Sequence, residues 1–134
     1  LQDRVRFAGF VPAAEIPYLY RQSLALVMPT YFGPTNLPPL EAFSLGVPVL
    51  YSDMAGLRDQ VGEAALLMDL SDPASMARHL DALLTNPQLR EQLVQRGREV
   101  LSRNDDRSRL SVLTSVVVEF QRKRACWGLT APAE

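Results

Sequence analysis

The chain carries one cysteine, one histidine and one tryptophan in 134 residues. A lone thiol, Cys126, excludes an internal disulfide and offers no zinc-ligand spacing. It is compatible with a reducing compartment. His79 has no Ser/His/Asp set, Cys/His pair or D-x-D metal motif to join. The charges nearly cancel, 14 Lys and Arg against 15 Asp and Glu, for a net −1. That leaves no broad basic surface and argues against a nucleic-acid partner. No apolar run approaches the roughly 20 residues of a membrane span. No signal-peptide pattern, internal repeat or low-complexity tract is read in these residues. What is present is an ordinary globular composition, 47% hydrophobic, at a length that suits one domain.

The informative stretch runs from Met28 to Asp53, MPTYFGPTNLPPLEAFSLGVPVLYSD. Ala25 to Met28 is a short apolar run, as expected of a buried parallel strand. Pro29 ends it, and Gly33, Pro34, Thr35 and Asn36 are turn formers. Asn36 is placed to cap a helix beginning near Leu37. Pro38 and Pro39 are tolerated there because first-turn amides have no intrahelical partner. Gly46 suits the helix end. Val47 to Tyr51 lacks polar alternation, so this strand is expected to be covered on both faces. The unit reads as a βαβ crossover. Ligands of parallel sheets bind outside the carboxyl ends of the strands. The loop 30–36, Glu41, Ser52 and Asp53 should therefore share one rim. A helix N-terminus there favours an anion. With two prolines present, Leu37, Leu40 and Glu41 remain to offer backbone amides.

These residues resemble the signature of glycosyltransferase family 4, the retaining GT-B-type enzymes. The family pattern is close to P-S-x-x-E-G-F-G-L-P-x-L-E-A-M-A-x-G-x-P-V-V-x-S. Pro29, Leu37, Pro38, Leu40, Glu41, Ala42, Gly46, Pro48, Val49 and Ser52 match it without a gap. Val5 to Val11 is similar to the family's V-x-F-x-G-x-V strand. Asp53 to Leu57 and Val61 to Ala65 are similar to its later stretch. The resemblance covers roughly residues 1 to 100. It implies a Rossmann-like three-layer α/β domain with a parallel sheet, the C-terminal half of a GT-B fold. It also implies that Glu41 accepts hydrogen bonds from a nucleotide's ribose. The family's first glutamate, which approaches the donor sugar, falls at Gly33, which has no carboxylate. Thr35 and Asn36 are the neutral groups in that loop placed to substitute for it. Gly9 to Pro12, with Gly9 and Phe10 foremost, correspond to a rim near the base.

Taken in order, Arg4 to Phe10 reads as a first strand. Ala13 to Arg21 reads as a helix with Ile16, Leu19 and Tyr20 at helical spacing. Gly56 to Val61 is a short helix and Ala64 to Met68 a last strand. Asp72-Pro73 and Asn86-Pro87 each open a helix. The first has a stripe of Met76, Leu80, Leu83 and Leu84. The second has Leu89, Leu93, Val94, Val100 and Leu101. After a polar break at 103–106, a final helix places Leu110, Leu113, Val117 and Phe120 on one face. Alternating strands and helices, then helices alone, indicate α/β with a helical C-terminal end. We expect a partial Rossmann-like domain over 1–104 and a C-terminal helix and tail over 105–134.

Several candidates keep two readings. Gly9 either meets a base or permits close backbone packing. Gly33 is a turn glycine or a point of close approach to a ligand. Ser52 and Asp53 are ligand contacts or a strand-end turn. Asp59 and Arg58 read as helix-surface residues and His79 as structural.

The resemblance implies a donor-binding domain for a nucleotide diphosphate sugar, with Gly33, Pro34, Thr35 and Asn36 facing the sugar. Neither cofactor nor metal is expected, the nucleotide sugar being a substrate. The acceptor, a glycan or lipid-linked saccharide, would be held by an N-terminal domain preceding Leu1. The chain is thus expected to be a truncated piece that is inactive alone; the alternative is a complete small α/β protein. The expected location is cytoplasmic, or peripheral on the cytoplasmic face of a membrane. The exposed C-terminal helix is a candidate homo-oligomer contact. A nucleotide-sugar epimerase and a non-catalytic scaffold are the competing functions.

Overall fold

The computed structural model describes residues 4–33, 36–103 and 106–126. Three short strands form a parallel sheet: β1 (Leu26–Met28), β2 (Val49–Ser52) and β3 (Ala65–Met68), in that order. Leu26 lies opposite Val49, and Val49 opposite Ala65. Helices α1 (Ile16–Gln22), α2 (Pro38–Ser44) and α3 (Leu57–Val61) punctuate the strands, with a 3-10 turn at Gly62–Ala64. Then come α4 (Pro73–Thr85), α5 (Pro87–Arg103) and α6 (Asp106–Cys126). The chain falls into two compact units, Leu1–Leu101 and Ser102–Glu134.

The apolar run of the central strand has the expected consequence, since all four residues of β2 are buried. Successive side chains of a strand point to opposite faces. Val49 and Tyr51 accordingly join Phe43, Val61 and Ala65 in one core cluster. Leu50 joins Met68, Leu83 and Leu93 in another. Helices α2 and α3 supply the first layer, and α4 with Leu93 of α5 the second. The result is a Rossmann-like three-layer α/β arrangement. α5 serves both cores, because Val100 and Leu101 pack against the Phe43 cluster.

Three expectations need correction. Arg4 to Phe10 is not a strand and pairs with none of the three. Its apolar side chains lie open to solvent, Phe7 at 96% and Phe10 at 92%. A strand needs a ladder partner for its amides and a surface for its apolar face, and this segment has neither here. Asn36 does not cap α2. Leu37 takes the cap position in a helical conformation, without a side-chain cap bond. The Asn36 side chain turns instead to Tyr51. Leu84 and Met76, assigned to the apolar stripe of α4, are 63% and 38% exposed.

Candidate functional site

The carboxyl ends of β1 and β2 lead into the loop 29–37 and the turn 53–56. Ser52 ties the two ends together. Its hydroxyl accepts from the Thr30 amide at 2.8 Å and donates to the Met28 carbonyl at 3.4 Å. Ser52 is fully buried, so the strand-end reading holds for it. Asp53 donates its amide to the Met68 carbonyl at 2.8 Å and pairs its carboxylate with Arg58 on the surface. Asp59 is exposed on α3. A ring nitrogen of His79 lies 2.9 Å from the Leu67 carbonyl, a contact that ties α4 to β3.

Above these ends lies a pocket of about 370 Å³. Tyr31, Phe32 and Gly33 form one wall. Met54, Leu57 and Gln60 line the other with Ala55 and Gly56. A larger cavity of about 690 Å³ lies between Leu24 and Pro48, at the amino ends of the strands, and Arg90, Val94 and Arg98 of α5. The smaller pocket is the better site candidate, because the loops of a parallel sheet converge at its carboxyl edge.

The loop wall is held from below. Asn36 is nearly buried, and its Nδ2 donates to the hydroxyl of fully buried Tyr51. That hydroxyl donates to Gln60 Oε1 at 3.2 Å. Gln60 Nε2 donates to the Asn36 carbonyl at 2.5 Å. A Cβ placed on Gly33 would fall on the Asn36 amide group. Glycine at 33 is therefore required by its neighbour, which is more specific than either a free turn or a ligand approach. Pro34 and Thr35 lie outside the described residues.

Glu41 does not line this pocket. It sits in the first turn of α2, where the helix dipole favours a carboxylate. Its Oε2 accepts from the Tyr20 hydroxyl at 3.2 Å. The same hydroxyl lies 3.5 Å from the Pro38 carbonyl. Partial burial raises the Tyr20 pKa, and the Glu41 charge and hydrogen bond raise it further, so Tyr20 stays a donor at neutral pH. Among the described residues Oε1 has no hydrogen-bond partner. The Glu41 amide is not available to a phosphate, because it donates to the Leu37 carbonyl at 3.0 Å. Leu37 and Leu40 remain of the three amides expected there. Leu37 itself is 60% exposed.

The structure thus brings Gly33 and Asn36 together and sets Glu41 beside α1. No hydrogen bond among the described residues ties Gly9 or Phe10 to either group. Gly9 adopts φ +63°, with open space around the position of a Cβ. Its glycine serves backbone conformation rather than close packing. Tyr20, Tyr51 and Gln60 were not legible as site residues. Tyr20 belongs to an apolar helical stripe and Tyr51 to the end of an apolar strand, and no local pattern marks their long-range partners.

Residues 1–100 match the family model described as "Glycosyl transferases group 1". An O-antigen chain mannosyltransferase B of Escherichia coli is 37% identical over 93 residues, 69% of this chain and 24% of that protein. D-inositol 3-phosphate glycosyltransferases of Frankia alni and Salinispora arenicola are each 38% identical. The first match covers 69% of this chain and 23% of the relative, the second 72% and 22%. The chain matches about a quarter of the length of these curated relatives. No solved structure matches. With a matching model over 100 of its 134 residues and a parallel three-layer domain, the chain belongs to the glycosyl transferases group 1 family.

Proposed function

We propose that this chain is the donor-binding half of a retaining, GT-B-type enzyme of the glycosyltransferase family 4 kind. In this reading Glu41 accepts hydrogen bonds from the ribose of a nucleotide diphosphate sugar through Oε1, while Tyr20 holds Oε2. The amides of Leu37 and Leu40 face the diphosphate, and Gly9 and Phe10 flank the base. The loop Gly33, Pro34, Thr35 and Asn36 faces the sugar. The observation that carries the proposal is the Glu41–Tyr20 hydrogen bond at the start of α2. It gives an otherwise mobile surface carboxylate a fixed orientation at the carboxyl edge of the sheet.

Such a site needs to hold the diphosphate, stabilise charge building on the leaving phosphate and present the anomeric carbon to an acceptor. No resident metal or cofactor is assigned a step. The acceptor is a glycan or a lipid-linked saccharide, held by a second domain that the matched quarter of the relatives does not include. The relatives are named for an O-antigen chain and for D-inositol 3-phosphate. Both names fit hexosyl transfer to a hydroxyl. In this reading the enzyme works in the cytoplasm or peripherally on the cytoplasmic face of a membrane. The exposed apolar side chains of α6 are proposed as a contact between copies of the chain.

Calorimetric titration of the chain with UDP, GDP, ADP and CMP, repeated on Glu41→Ala, tests the donor site. We expect one nucleotide to bind selectively and the variant to bind it at least several-fold more weakly. Equal affinity in the variant would remove Glu41 from the site. A protein of full family length that bound none of the four would favour a scaffold function. Epimerised nucleotide sugar formed without acceptor would point to an epimerase.

A further inference from the structure

We infer that Tyr51 and Gln60 are positioning residues that clamp the donor-side loop through Asn36, and that the pocket they fix receives an uncharged sugar ring. The inference rests on the donor-site reading above and goes beyond it in naming the clamp and the class of sugar.

The clamp is a closed ring of hydrogen bonds between three elements. Asn36 belongs to the loop, Tyr51 to β2 and Gln60 to α3. Asn36 donates to Tyr51, Tyr51 to Gln60, and Gln60 back to the Asn36 carbonyl. Tyr51 is fully buried and Asn36 nearly so, and polar groups at such depth are costly to leave unpaired. The Asn36 amide also fills the space that a Cβ on Gly33 would need. It cannot swing aside without releasing Tyr51. Gly33 and Asn36 are therefore coupled, each tolerated because of the other.

This ring sets the width of the pocket. Gly33 belongs to one wall and Gln60 to the other, and the ring joins the two through Asn36. The described lining holds no carboxylate, ammonium or guanidinium. Tyr31 and Phe32, 72% and 81% exposed, offer aromatic faces. Gln60 offers an amide. Apolar ring faces suit the C–H face of a pyranose, and the amide suits its hydroxyls. A uronate would leave water without a cation to meet it. Arg58, the cation on α3, is already paired with Asp53.

Two measurements test this on the 134-residue chain. The first is calorimetry with UDP, GDP and ADP, with UDP-glucose, GDP-mannose and ADP-glucose, and with UDP-glucuronate and GDP-mannuronate. For the nucleotide that binds, the neutral sugar should add at least threefold in affinity and the uronate nothing. Tyr51→Phe, which keeps the ring and removes the hydroxyl, should abolish that gain and shift the bare nucleotide less than twofold. A gain that survives in Tyr51→Phe, or a uronate that binds as tightly as the neutral sugar, would overturn the assignment. Loss of bare nucleotide and sugar nucleotide in equal measure would overturn it too, by making the ring purely structural. Failure of every nucleotide, CMP included, in a protein of full family length would sink the donor reading and the sugar assignment together. The clamp is then judged by the second measurement, a thermal double-mutant cycle with Gly33→Ala and Asn36→Gly. Each single variant should lower Tm, and the pair should lose clearly less than the sum. Additive losses would refute the coupling.

Discussion

Gly97 and Phe43 show how far one residue's identity can depend on another distant in sequence. A Cβ on Gly97 would lie 2.7 Å from Phe43 Cδ1 and 3.2 Å from its Cβ. Both residues are buried, so neither can yield toward solvent. Gly97→Ala should destabilise the chain by about 1–3 kcal/mol, the usual cost of overpacking, despite alanine's better helix propensity. Phe43→Ala should cost about 3–5 kcal/mol, as for other large-to-small changes in a core. Urea midpoints of the two variants check both values, and the double variant should lose less than the sum. At the site, Tyr20→Phe should weaken nucleotide binding a few-fold, less than Glu41→Ala, because it frees the carboxylate without removing it. Equal losses in the two calorimetric titrations would contradict that role. None of these partnerships is visible locally. A glycine inside a helix and a tyrosine on an apolar stripe look alike whether or not something packs on them.

The elements divide into those with their own end signals and those that depend on neighbours. α4 starts where Asp72-Pro73 predicts. Asp72 accepts from the Ala74 amide at 2.9 Å and from Arg78 at 2.8 Å. α5 follows the same rule, with Asn86 accepting from the Leu89 amide at 3.0 Å. The Arg78 hydrogen bond, with the Ala74 amide next, lowers the Asp72 pKa. The Ser71 hydroxyl and amide lower that of Asp69. A carboxylate with a depressed folded-state pKa stabilises the fold above its unfolded value of about 3.9. That contribution is lost as pH falls through the folded value. Asp72→Ala should therefore lower Tm at pH 7, and the gap from the parent should close below about pH 4. Thermal melts from pH 2 to 7 measure this, and a gap that persists at pH 2 would contradict it. Arg4 to Phe10 has the composition of a strand but no ladder to join, so its alternating pattern specifies nothing by itself.

The molecule as a whole comprises a layered unit and a helical one. In the first, each strand has only three or four residues. The stability of that unit therefore rests on the helices covering β2. In the second, Leu110, Leu113, Val117 and Phe120 are 62%, 60%, 46% and 55% exposed, as are Val112 and Val116 at 63% and 57%. No helix among the described residues is long and apolar enough to cross a membrane. If copies of the chain meet through α6, sedimentation should show concentration-dependent association that Leu113→Glu with Val117→Glu abolishes. A monomer at all concentrations would remove that contact. The α/β class, the central βαβ unit and the starts of α4 and α5 were determined by the sequence alone. They arise from apolar runs, prolines and capping residues acting within a turn or two of themselves. The family signature was equally legible, since it lies at fixed spacing in one stretch. The tertiary structure decided that Asn36 joins Tyr51 instead of capping α2, that Gly33 makes room for it, and that Tyr20 holds Glu41. It also decided that Arg4 to Phe10 stays off the sheet. In each case the choice depends on a partner brought close only by folding. A buried donor is paired with whatever acceptor the packing leaves within reach, and no local spacing encodes that.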